Sequence, residues 1–240
     1  MKAVILAGGK GERLKPLTDN MPKPMVSIIT KPIIEFIILR LRECGFYDIA
    51  ITLGYRGDDI KNHLGDGKDL GVKISYYVEE SPLGTAGGVK NARDFLTEDF
   101  LVVSGDAFTE LDFKEFFLYH KQKGAIATLA VKEVDDIKGF GVVKTDTDGR
   151  IIEFLEKPES SAIKTVNTGI YAMKPDIIEL IPDGFFDFGK NLFPTLVGSI
   201  YAYKTDSYWS DIGTLESYYG TNAYVAKNMQ KYGSIFNSAV

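Results

Sequence analysis

The chain has 240 residues, 45% hydrophobic and 25% charged, with a formal net charge of −5. That composition suits one sizeable globular domain with a substantial core; it excludes a globally disordered chain and disfavours broad nonspecific binding to nucleic acid or membranes, so a polyanionic ligand must meet a local basic pocket. One cysteine, Cys44, excludes an internal disulfide and reads as a buried structural thiol, and the lack of a signal peptide or of 18 uninterrupted apolar residues points to a cytoplasmic protein.

The apolar run Lys2 to Leu6 predicts a strand that leads into Ala7-Gly8-Gly9-Lys10-Gly11-Glu12-Arg13-Leu14 and then Met21-Pro22-Lys23-Pro24-Met25. Close-set glycines after a strand let backbone N–H groups approach phosphate oxygens, and Arg13 and Lys23 supply positive charge. The loop lacks the Gly-Lys-Ser/Thr ending of a P-loop. It also lacks the third glycine of a dinucleotide fingerprint and the acidic residue that follows it, which weakens an NTPase or an NAD-oxidoreductase reading. A purely structural turn is the remaining alternative.

Pro32, followed by Ile33, Ile34, Phe36, Ile37, Leu39 and Leu41, predicts a helix with a wide apolar face. Beyond it, strands near 49–53, 72–78 and 100–104 alternate with helices near 58–64 and 86–95, the pattern of an α/β fold whose mainly parallel sheet carries helices on both faces. A second glycine cluster, Glu79 to Gly88, lies between a strand and a helix, where parallel sheets bind ligands. Ser104-Gly105-Asp106 sets a carboxylate at the tip of a strand. Asp112 and Glu115 form a capping-box signature for a helix to Lys123 that buries Phe113, Phe116 and Phe117.

After Gly124 the pattern turns strand-rich, at 125–132, 140–145, 151–156 and 168–173, and reads as an extension of the sheet that builds a second lobe. Asp146-Thr147-Asp148-Gly149 reads as a hairpin turn rather than a metal site. Trp209-Ser210-Asp211-Ile212-Gly213-Thr214 brings a second carboxylate beside a glycine. A last helix is expected over 215–231, with Tyr218, Tyr219 and Tyr224 as packing residues. His63 and His120 fall on predicted helices, away from these motifs. Asp106, Asp211 and substrate phosphates would together suit Mg²⁺, a hard ion that takes few protein ligands, although each aspartate alone also suits a cap or a turn.

Taken in order, these motifs resemble the sugar-1-phosphate nucleotidylyltransferases, or NDP-sugar pyrophosphorylases. Arg13-Leu14-Lys15-Pro16-Leu17-Thr18 looks like the end of the family's glycine-rich signature, and Pro22-Lys23-Pro24 follows it. Glu153-Phe154-Leu155-Glu156-Lys157-Pro158 resembles the sugar-phosphate motif, and Val166-Asn167-Thr168-Gly169-Ile170-Tyr171 the sugar-contacting strand. The resemblance covers most of the chain and implies a three-layer, Rossmann-like nucleotidyltransferase fold of GT-A type.

It further implies that Arg13 and Lys23 grip the nucleotide phosphates, that Lys157 holds the sugar phosphate, and that Asp106 and Asp211 bind catalytic Mg²⁺. Arg13, Lys23, Asp106 and Lys157 would be the catalytic set. Leu6, Ala7, Gly8, Gly9, Gly11, Glu79, Gly84, Thr85 and Gly88 would complete the nucleotide site, with Gly8 and Gly88 flanking the base. Gly141, Glu156, Asn167, Thr168 and Gly169 would line the sugar site. Glu79 stands where the family reads the base edge, and its two acceptors match guanine N1–H and the exocyclic amine, so GTP is favoured over UTP or dTTP. The motifs look most like mannose- or heptose-1-phosphate guanylyltransferases, which sets mannose 1-phosphate first and a glucose-1-phosphate uridylyl- or thymidylyltransferase second.

A catalytically silent nucleotide-sugar-binding homologue is the reading from another class. The retention of Arg13, Lys23, Asp106, Lys157 and Asp211 argues against it. Glu12 replaces a frequent Thr, and Ser104 a frequent Asn. The catalytic domain is assigned to 1–232. The tail 233–240 resembles the beginning of the β-helix found in longer members, which reads as either a natural short form or a truncated one and leaves homo-oligomerisation open.

Overall fold

The computed structural model describes residues 1–236. Its sheet is organised by β1 (Lys2–Ala7), whose Ala3, Ile5 and Ala7 face one apolar core while Val4 faces another. Both faces of this strand are buried, which is why it reads as a continuous apolar run rather than an alternating one. A tight hairpin, β2 (Ser27–Ile28) and β3 (Lys31–Pro32), then leads into α1 (Ile33–Glu43), and the alternating β4 (Asp48–Leu53), α2 (Gly57–Leu64), β5 (Lys73–Val78), α3 (Gly84–Asn91) and β6 (Phe100–Ser104) follow. The remainder is β7 (Ala107–Thr109), α4 (Phe113–Lys123), β8 (Ala127–Glu133), β9 (Val142–Thr145), β10 (Ile151–Leu155), β11 (Thr165–Met173), β12 (Tyr201–Lys204), β13 (Trp209–Asp211), α5 (Leu215–Lys227) and α6 (Gly233–Phe236).

Nine strands form one sheet in the order β10-β9-β11-β6-β1-β4-β5, with β8 beside β11 and β12 beside β8. β1, β4, β5 and β6 are mutually parallel. β11 runs against β6 and β8, β10 runs against β9, and β12 is parallel to β8. The segments after Gly124 therefore extend the same sheet rather than start another. One core holds the apolar faces of α1, α2, α4 and α5. The other holds α3 and the helical turns at Pro175–Leu180, Phe188–Leu192 and Phe193–Leu196. Helix, sheet and helix make the three layers expected of the α/β pattern.

Local signals explain most boundaries. Asp112 accepts N–H bonds from Lys114 and Glu115, both at 2.9 Å, and starts α4. Glu115 does not close the expected box, because its carboxylate is held by the Tyr203 hydroxyl at 2.8 Å. Asp146 accepts from Asp148 N and Arg150 N in the hairpin turn, where Gly149 takes φ 83°. The helix expected over 215–231 is α5, which ends at Lys227, and Met229–Lys231 is a separate turn. Cys44 is half-buried rather than buried. Gly233–Phe236 is a short helix, not the beginning of a coil, with Ile235 and Phe236 buried in the first core. The rest of the tail expected to begin a coil, 237–240, lies outside the described residues. Among the described residues no helix is long and apolar enough to cross a membrane.

His120 is fully buried on α4, with Nδ1 2.8 Å from Thr128 Oγ1 and no partner for Nε2 among the described residues. Burial pushes its pKa down to about 4. The unfolded chain takes up this proton near the usual ~6.5, so the stability contributed by neutral His120 is complete above that pH and is lost as pH falls toward the folded value, by up to ~3 kcal/mol. Urea titrations between pH 7 and pH 4 should show His120→Gln losing less stability than the wild type over that window; identical losses would exclude His120 as the cause.

Candidate active site

From β1 the chain crosses to β4 and β5 on one side, then jumps back to β6 on the other side of β1. Such a reversal opens a crevice at the carboxyl ends of the strands. Leu6 lies in register with Ser104 across this crevice, and Gly105 N donates to Leu6 O at 2.9 Å. The glycine loop after β1 and the Ser104-Gly105-Asp106 tip of β6 are thus held side by side.

Asp211 arrives by a different route. β13 pairs antiparallel with β7, setting Asp211 opposite Ala107, and Ile212 N donates to Asp106 O at 3.0 Å. Lys23 reaches in from the turn Lys23–Met25; its Nζ donates to Asp106 and lies 3.4 Å from Asp211 Oδ1. Ser104 Oγ donates to the other Asp106 oxygen. Burial opposes the charge on Lys23, but Asp106 and Asp211 outweigh it and raise its pKa. Burial likewise pushes Asp106 up, and Lys23 with Ser104 more than reverses this, leaving it below the usual carboxylate value. Asp211 is pushed up to about 6, by burial first and by the neighbouring Asp106 second.

The same two carboxylates fit Mg²⁺. They are all-oxygen donors converging on one cationic position, which the Lys23 ammonium approaches here. Among the described residues no group of three or more His, Cys, Asp or Glu surrounds a metal position. An ion held here would complete its octahedron from water and phosphate oxygens, as Mg²⁺ commonly does.

Three adjoining cavities meet at Asp106. One, of about 350 Å³, is lined by Leu6, Gly8, Gly9, Lys23, Glu79, Gly84, Thr85 and Asp106 from the expected set. A second, of about 310 Å³, takes in Arg13, Gly141, Glu156, Lys157, Asn167, Thr168, Gly169 and Asp211. The third, of about 430 Å³, is lined by Gly9, Gly11, Arg13, Lys23 and Asp106. Ala7 and Gly88 line none of the three. Ala7 packs into the core, because the strand alternation points it away from the crevice. Gly88 sits beneath Glu79: a Cβ there would lie 2.8 Å from Glu79 Oε1, so the glycine makes room for that carboxylate.

Glu79 Oε2 accepts from Leu83 N at 3.0 Å, and burial raises the Glu79 pKa against that bond. In the second cavity, Asn167 Nδ2 donates to Tyr171 OH at 3.0 Å and Trp209 Nε1 donates to Thr168 O at 3.0 Å. Glu156 is raised by burial despite Lys157, whose Nζ stands 3.5 Å away. Lys157 holds φ 47°, a left-handed conformation costly for a residue with a Cβ. His63 and His120 line none of these cavities, as expected.

The sequence reading missed the segment 183–190, which supplies Phe185 and Asp187 to the first cavity and Asp187, Gly189 and Lys190 to the second. It carries neither strand nor helix periodicity. Its one signal is Asp187 before Gly189, an N-cap: Asp187 Oδ1 accepts from Gly189 N and Lys190 N while Oδ2 accepts from Thr85 Oγ1.

A nucleotidyl transferase family model matches residues 2–228. A UTP–glucose-1-phosphate uridylyltransferase from Synechocystis is 39% identical over 96% of this chain and 66% of its own length. A mannose-1-phosphate guanylyltransferase from Mycobacterium tuberculosis is 36% identical over 90% of this chain and 62% of its own length. The chain therefore spans a little under two thirds of these relatives. Among solved structures, HddC from Yersinia pseudotuberculosis complexed with GMP-PN is 32% identical and superposes with a TM-score of 0.81 over 93% of this chain and 98% of that one. The strand order, the crevice at β1 and β6 and these matches lead to one assignment: the chain belongs to the nucleotidyl transferase family.

Proposed function

We propose that this chain transfers a nucleotidyl group from GTP to a sugar 1-phosphate, mannose 1-phosphate first among candidates, releasing pyrophosphate. The observation that carries the reading is the meeting of three cavities at Asp106, with Lys23 between Asp106 and Asp211. A nucleoside, a sugar phosphate and a phosphate tail can then share one cationic centre. A sugar-phosphate oxygen forms a bond to the α-phosphorus, and the bond to the β-phosphate oxygen breaks, so no protein nucleophile is required.

Two polyanions must approach, and at ~4 Å with an effective dielectric near 20 each unit charge pair is worth roughly 4 kcal/mol. Arg13 and Lys23 neutralise the nucleotide phosphates and Lys157 the sugar phosphate. Mg²⁺ held by Asp106 and Asp211 would polarise phosphoryl oxygen and neutralise developing charge. Glu156, Asn167, Thr168, Gly169 and Gly141 orient the sugar.

Glu79 supports GTP. Its carboxylate lines the first cavity, with Oε1 against Gly8 and Gly88, and can accept from both guanine N1–H and the exocyclic amine, whereas uracil and thymine offer one N–H. The mycobacterial relative named for guanylyl transfer and the GMP-PN complex of HddC agree with this choice; the Synechocystis relative named for uridylyl transfer favours the alternative. Replacing Glu79 by Gln removes one acceptor, so the GTP:UTP ratio of kcat/KM should fall by about tenfold or more. An unchanged ratio would reject Glu79 as the base reader.

A further inference from the structure

Phe185 is 63% exposed, yet it lines the 350 Å³ cavity together with Gly8, Gly9 and Glu79. Among the described residues its ring meets no other aromatic ring and no cation. The backbone around it is pinned. Phe186 O accepts from Ala86 N and Gly87 N, each at 3.0 Å, and Phe186 N donates to Leu83 O at 2.8 Å. Lys90 Nζ holds Ile181 O at 2.6 Å and Asp183 at 2.7 Å on one flank; on the other, Thr85 Oγ1 donates to Asp187 at 2.9 Å.

The ring is also positioned from below. Gly84 takes φ 72°, and a Cβ there would lie 2.6 Å from Phe186 O and 3.3 Å from Phe185 Cε2. An exposed ring on a fixed backbone, resting on glycine and lining a cavity, is a poor packing residue and a ready stacking surface.

From this geometry we infer that Phe185 covers the nucleobase, stacking on its open face while Glu79 reads its edge. The inference rests on the nucleotide reading of this cavity. Phe185 acts by holding the base, so it changes nucleotide affinity and leaves the reacting phosphates untouched. Because every base has a π face, the effect extends to each nucleotide the protein binds and is larger for purines.

The test is direct binding of GTP, GDP and UTP by calorimetry, beside steady-state kinetics, for Phe185→Ala and Phe185→Trp. Phe185→Ala should weaken GTP binding and raise the KM for GTP about tenfold, with little change in kcat or in the KM for sugar phosphate. Phe185→Trp should restore binding, and its added fluorescence over the single native Trp209 should be quenched by GDP. Unchanged affinity in Phe185→Ala, or an altered oligomeric state in place of altered affinity, would overturn the inference. If the wild type itself binds none of the three nucleotides, the failure belongs to the nucleotide reading and takes this inference with it; weaker UTP and GTP binding together in Phe185→Ala would support stacking even if the choice of GTP were wrong.

Discussion

Asp106→Asn is expected to cut turnover by about a thousandfold while leaving the protein folded. Asparagine keeps the shape and can still accept from Ser104, so β6 and the neighbouring β7 and β13 pairing keep their geometry. What disappears is one negative charge at the centre on which Lys23, Asp211 and the three cavities converge. One unit pair at this range is worth roughly 4 kcal/mol, which converts to about a thousandfold in rate. Asp211 should titrate lower in the variant, because the Asp106 carboxylate, after burial, is what pushes it up. Steady-state kinetics with a thermal melt checks this: near-wild-type turnover from a folded variant would remove Asp106 from the mechanism.

The second large effect is expected at Lys157. Removing its ammonium should lower kcat/KM for the sugar phosphate on the order of a hundredfold, with smaller change in nucleotide affinity, since Lys157 lines only the second cavity. The φ of 47° adds a second readout. Glycine adopts that conformation freely, so Lys157→Gly should be at least as stable as Lys157→Ala although both lose activity. This would identify Lys157 as a site where backbone strain is retained for function. Full activity in Lys157→Ala, or a Gly variant less stable than the Ala variant, would contradict it.

The fold was legible where the period was strong. Val4, Ala3 and Ile5 form an apolar run because β1 is buried on both faces, and the alternation of strands and helices through Ser104 announced the parallel half. β7, β12 and β13 were missed. They are three or four residues long, and β7 and β13 exist only because each finds the other across a long sequence separation. That pairing also brings Asp211 to Asp106, so the sequence could name both carboxylates but not the reason they meet.

The cavity lining was legible from glycine and charge spacing over Gly8 to Lys23 and from the family resemblance over Glu156 to Gly169. Over 183–190 the Asp187 N-cap was the one local signal, because the segment is placed by hydrogen bonds from the start of α3 to Phe186 and Asp187. Ala7 is a residue inside a signature stretch whose side chain the strand alternation turns into the core, which leaves only its backbone to face the crevice.

Pyrophosphate release with Mg²⁺, measured across GTP, UTP, dTTP, CTP and ATP against mannose, glucose, N-acetylglucosamine and heptose 1-phosphates, tests the central claim most directly. The account predicts release that requires both substrates and is strongest with GTP and mannose 1-phosphate. A folded protein that binds nucleotide yet releases no pyrophosphate with any pair would contradict the proposed transfer and favour a silent nucleotide-sugar-binding homologue.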